Sequence, residues 1–111
     1  MTFEEALKRM TDIAKIYDLE VMKGRRLHSD VYYLERNFDM FFASLYIDDD
    51  KNEWYIQIAT TVEISDHNEI FLVDDLIYHN AEIDNDTFVE IENKMEKLMD
   101  DYNRAVKGFE V

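Results

Sequence analysis

The hydrophobic period changes twice along this chain, from helical to alternating and back to helical. Thr2-Phe3-Glu4-Glu5 opens the first segment as a capping box, with Thr2 as N-cap and Glu5 at the third helical position. Phe3, Ala6, Leu7, Met10, Ile13, Ala14 and Tyr17 follow at helical spacing and form one apolar face. The last segment uses the same device. Thr87-Phe88-Val89-Glu90 reads as a second capping box, and Phe88, Ile91, Met95, Leu98, Met99, Tyr102 and Val106 make its stripe, with Gly108 as the expected stop. Between these helices the period is two. From Glu53 to Ile64, Trp54, Ile56, Ile58, Val62 and Ile64 face one way, while Glu53, Tyr55, Gln57, Thr61 and Glu63 face the other.

Other strands are expected around that one. Met40 to Ile47 is apolar on both faces, as in a central strand, and Asp48-Asp49-Asp50-Lys51-Asn52 reads as the hairpin loop that follows it. Glu69 to Tyr78 is a further strand after a Ser65-Asp66-His67-Asn68 turn. Leu19–Lys23 and Val31–Arg36 are weaker strands, expected to turn around Gly24. Proline is absent and glycine occurs only at 24 and 108, so Asp and Asn must shape most of the turns. The order α-β-β-β-β-α, with room for a fifth short strand, predicts an α+β domain spanning residues 1–111. Its antiparallel sheet of four to five strands would carry both helices on one face. The opposite face is expected to present Phe42, Tyr46 and Tyr55.

Composition excludes several classes of function. Without cysteine there is no disulfide, thiolate metal site or cysteine nucleophile. No run of about 18 apolar residues predicts a membrane span, and the charged, amphipathic N-terminus lacks a signal-peptide core, so a cytoplasmic location is expected. The charge is concentrated. Between Asn37 and Asn93 fifteen carboxylates face one base, Lys51, which gives that segment the whole net charge of −14, while the flanks balance. Such a field repels nucleic acid and anionic membranes and attracts basic proteins.

Motifs for chemistry are incomplete or missing. Asp48, Asp50 and Asn52 have the spacing that begins a calcium loop, but Glu53 stands where glycine is needed and Ala59 where the closing glutamate is needed. His28, His67 and His79 lack metal-ligand spacing. Asp74 and Asp75 are adjacent on a strand and point apart. No nucleophile elbow or glycine-rich phosphate loop occurs. Lys23, Arg25, Arg26 and His28 form one basic cluster, expected in a turn, where an anion could be held. The expectation is therefore a non-enzymatic protein that takes no metal and no cofactor.

The leading functional expectation is a decoy, an acidic surface that occupies the basic nucleic-acid-binding surface of another protein, such as a nuclease. Strand positions two apart are separated by about 6.6–6.8 Å, within reach of a phosphate ladder. Asp48, Asp49, Asp50, Glu53, Glu63, Asp66, Glu69, Asp74, Asp75, Asp84 and Asp86 are the candidate partner-binding residues. In size, charge and single-domain organisation the chain resembles phage anti-CRISPR and anti-restriction proteins and the immunity proteins of nuclease toxins, with no residue motif in common. The alternative is a homodimeric, chaperone-like or adaptor protein that binds through the open sheet face. Small acidic secretion chaperones resemble it in size and α/β content.

Overall fold

The computed structural model describes residues 1–36, 40–48, 52–64 and 70–109, with backbone alone at 40, 61–64, 70–74 and 106–109. Helix α1 (Phe3–Ile16) precedes strands β1 (Glu20–Arg26), β2 (Ser29–Arg36), β3 (Met40–Asp48), β4 (Trp54–Ile64) and β5 (Ile70–His79). A single 3-10 turn (Asn80–Glu82) then leads into helix α2 (Asn85–Phe109). The strands form one five-stranded antiparallel sheet in the order β1-β2-β3-β4-β5. The fold is the α+β arrangement that the periods imply, with β3 in the centre because it is apolar on both faces. Among the described residues no helix is long and apolar enough to cross a membrane.

Both helices cover the same face of the sheet. Ala6, Met10, Ile13 and Ala14 of α1 join Phe88, Ile91, Met95, Leu98 and Met99 of α2 in one core with Leu34, Leu45, Ile47, Trp54, Ile56 and Ile58 of the strands. The helices run parallel. Arg9 of α1 pairs with Glu92 of α2, places its guanidinium 4.2 Å from the centre of the Phe88 ring, and donates to Asn85 at 3.4 Å. At the other end Tyr17 lies in the field of Glu96 and Asp100, which, together with burial as the larger cause, pushes its hydroxyl pKa up. Parallel packing puts both helix starts at one end of the sheet, beside the β3–β4 and β1–β2 connections.

Four expectations need correction. Phe42 does not lie on the open face. The β2–β3 register shifts between Leu34, opposite Ala43, and Glu35, opposite Phe41. Phe42 is the extra residue of this bulge, and it turns into the core with its ring edge-on to Tyr102 at 4.9 Å. One inserted residue reverses the face of everything beyond it, so Phe41 takes the open side, 48% exposed. Second, α2 starts three residues early. The Asp84 carboxylate accepts from the Thr87 backbone N–H at 2.8 Å, which makes Asp84 the N-cap. Ile83 and Phe88, both buried, then occupy the two positions of a hydrophobic staple. Thr87 as cap would leave Ile83 without that packing. Third, Gly24 is inside β1, opposite Val31, and the turn is the two-residue loop Leu27–His28 between Arg26 and Ser29. The ring of Tyr33 leans over Gly24, where an added Cβ would meet it at 3.4 Å. Fourth, α2 continues through Gly108 to Phe109.

Thr2 caps α1 as expected, accepting from the Glu5 backbone N–H at 3.2 Å. The Asp48–Asn52 connection joins β3 to β4, with the Asp48 N–H donating to the Glu53 carbonyl at 3.0 Å. Residues 49–51 and the Ser65–Asn68 turn lie outside the described residues.

Candidate functional site

The side of the sheet away from the helices has no second layer among the described residues, and its register defines the surface. One row crosses all five strands as Gly24, Val31, Tyr46, Tyr55 and His79. The next row crosses as Met22, Tyr33, Ser44, Gln57 and Ile77. Neither row contains Asp, Glu, Lys or Arg, in a chain of which 34% is charged. The tyrosines of the first row stack, Tyr46 on Tyr55 with ring centres 5.1 Å apart and planes at 22°. His79 meets Tyr55 edge-on at 4.9 Å. Tyr33 contacts Phe41 at 5.1 Å. Met22 and Ile77 are exposed at opposite edges of the sheet, Ile77 to 58%.

Carboxylates flank both rows. On one side Asp48 and Glu53 stand opposite each other at the ends of β3 and β4, with Arg26 further along toward the β1 edge. On the other side the exposed Glu20 stands opposite Glu35, which is buried, across β1 and β2, and the exposed Asp75 pairs with Ala59 across β5 and β4. Asp48 also accepts from the Ser29 hydroxyl at 2.9 Å. The negative field reaches the tyrosines. Desolvation is the largest cause that pushes the Tyr55 hydroxyl up, reinforced by Glu53 and Asp48. Desolvation likewise raises Tyr46, with Tyr55 and Asp48 adding to it and Arg26 opposing. Both phenols therefore stay neutral across the physiological range.

A second group of acids gathers at the end where the helices start. The Asn80 side chain donates to the Asn52 carbonyl at 3.1 Å and ties the β5–α2 connection to the β3–β4 connection. This brings the exposed carboxylates Glu82, Asp84 and Asp86 to the end that holds Asp48 and Glu53. Asp84 is the cap of α2, and its pKa is lowered chiefly by the Thr87 backbone N–H. The segment that is continuous in sequence is thus divided in space. Asp48, Glu53, Asp84 and Asp86 share one end, and Asp75 lies further along β5. Glu63 and Asp74 belong to β4 and β5, and their side chains are outside the described residues, as are Asp49, Asp50, Asp66 and Glu69 altogether. Glu92 is used by the seam between the helices.

The basic cluster does not converge. Lys23 lies 5.7 Å from the centre of the Tyr32 ring, and Arg25 pairs with Asp30 at 3.0 Å. Arg26 points to the opposite face by alternation, and His28 is in the turn. A cleft of about 220 Å³ lies between Thr60 of β4 and Lys94, Lys97 and Leu98 of α2. Lys97 is held by Asp101 at 3.0 Å and Lys94 approaches Glu90 at 3.9 Å. Among the described residues no three His, Asp or Glu side chains are grouped to hold a metal ion. No protein-family model matches the chain, and no curated protein or solved structure matches it.

Sequence reading missed Tyr33, Phe41, Met22 and Ile77 as members of the open face. Alternation from Tyr55 and across the hairpin would have found Ile77. Phe41 could not be found, because only the bulge puts it there.

Proposed function

We propose that the protein is a non-enzymatic inhibitor or decoy whose acidic surface occupies the basic nucleic-acid-binding surface of another protein. The observation that carries this reading is the gathering of Asp48, Glu53, Glu82, Asp84 and Asp86 at one end, from parts of the chain some thirty residues apart. Burial does not require it, since four of these five are exposed. A basic surface that normally tracks a phosphate backbone is complementary to such an array. Association would be fast and salt-sensitive, and nucleic acid would compete for the same surface. Capture of basic proteins from a lysate at low ionic strength, followed by elution with double-stranded DNA, tests the reading. Displacement by DNA and loss of binding in high salt support it. A partner that resists both contradicts it.

A second reading is an adaptor, or a homodimer, that uses the open sheet face. The exposure of Met22, Phe41 and Ile77 on a face that has no covering layer among the described residues favours it. Such a contact would resist salt.

A further inference from the structure

We propose that the open sheet face is the centre of the contact, and that its occupant is a protein surface with an apolar middle ringed by Lys and Arg. This rests on the decoy reading and names the footprint that the carboxylates surround. The two uncharged rows cross five strands, a band roughly 24 Å by 14 Å, or about 330 Å². Val31 is buried within it and Ser44, Gln57 and His79 are polar, so its apolar surface is smaller than the band and comes from Met22, Tyr33, Tyr46, Tyr55 and Ile77. The whole band is less than half of the ~800 Å² that each partner contributes to a standard interface. The remainder must come from what borders the band, and the border is acidic on both sides: Asp48 and Glu53 along one, Glu20 and Asp75 along the other. An aromatic middle and a charged rim is how protein interfaces are built.

The sign of the rim selects the occupant. A second copy would set acidic rim against acidic rim across the face, with Arg26 as the one basic side chain there among the described residues. A basic partner relieves this repulsion and keeps the burial of Tyr46, Tyr55, Tyr33 and Ile77. Nucleic-acid mimicry by charge alone would not need an uncharged middle. On this proposal the acids steer the encounter and the aromatic band holds the complex.

The test uses two peptides of equal charge and of one strand's length. One alternates lysine with leucine, and the other alternates lysine with serine. Binding to the full chain is measured by titration calorimetry at low ionic strength. The leucine peptide should bind at least about tenfold tighter, a margin of about 1.4 kcal/mol. Tyr46→Ser with Ile77→Ser should bring the two peptides to within about threefold of each other, while Asp48→Asn with Glu53→Gln should weaken both alike. Unfolding midpoints of each variant establish that the fold is kept. Equal binding of the two peptides to the wild type would overturn the footprint and leave a charge-only decoy standing. A leucine preference that survives Tyr46→Ser with Ile77→Ser would assign it to another surface and overturn the proposal. A dimer seen by light scattering and dissociated by Ile77→Asp would give the face to a second copy, with the same consequence. Failure of DNA to displace a captured partner would remove the decoy reading without touching the peptide result.

Discussion

Leu27 combines two properties that a fold alone does not favour, and replacing it with glycine should make the protein more stable. Its φ is 56°, in the left-handed region, and it is 88% exposed at the tip of the β1–β2 hairpin. A residue with a Cβ loses about 1–2 kcal/mol in that conformation. Glycine removes this cost but gives back roughly 0.5–1 kcal/mol through the greater freedom of the unfolded chain. The side chain itself contributes little. Full burial of leucine is worth about 1.5–3 kcal/mol, and with about an eighth of its surface covered the loss is ~0.2–0.4 kcal/mol. The balance is a stabilisation of about 0.5 kcal/mol, or roughly 2–4 °C in melting temperature. Leu27→Ala is the control, because it keeps the strained backbone and should melt at or slightly below wild type. Differential scanning calorimetry on the three proteins decides the matter. If the glycine variant melts no higher than the alanine variant, the left-handed turn is not costing stability and the reasoning fails.

Three further outcomes are expected. Phe42→Ala should cost about 3–5 kcal/mol in urea unfolding, whereas Phe41→Ala should cost about 1 kcal/mol or less, because the bulge buries the first and exposes the second. Asp84→Ala should lower the melting temperature at neutral pH. The folded carboxyl has a lowered pKa, so its contribution is complete above the unfolded value of ~3.9 and disappears as pH falls through the lower folded value. Melting curves of variant and wild type should therefore converge in acid, and a difference that persists at low pH would refute the capping role. Moderate sodium chloride should raise the urea midpoint of the wild-type protein, since fifteen carboxylates and one base share a single segment and salt screens their repulsion. An unchanged or lower midpoint would mean that the division of these acids between the parts of the fold already keeps them apart.

The elements legible in the sequence were those with an uninterrupted period. Trp54 to Ile58 alternates cleanly and forms β4 as read. Ala6, Met10 and Ile13 recur at helical spacing and pack as read. What could not be read depended on a single local event. The Phe42 bulge reverses a face without any glycine to mark it. Two acceptable caps, Asp84 and Thr87, stand three residues apart, and the packing of Ile83 on Phe88 decides between them. A leucine takes the hairpin position that glycine or asparagine usually holds, so the turn carried no signal. The acidic surface was half legible. Its residues were apparent from composition, but their division between the open face and the helix-start end follows from strand register and from the Asn80–Asn52 link.

On the proposed reading, the carboxylates around the open face and the helix-start end recruit a basic partner. The most direct measurement is the association rate of a DNA-displaceable basic partner with wild type and with the variant Asp48→Lys, Asp49→Lys, Asp50→Lys, at low and high ionic strength. At low ionic strength the variant should associate at least about tenfold more slowly, and the gap should close as salt screens the field. Its unfolding midpoint, measured alongside, establishes that the fold is kept. A variant that associates as fast as wild type at low ionic strength would contradict the decoy account and leave an adaptor in its place.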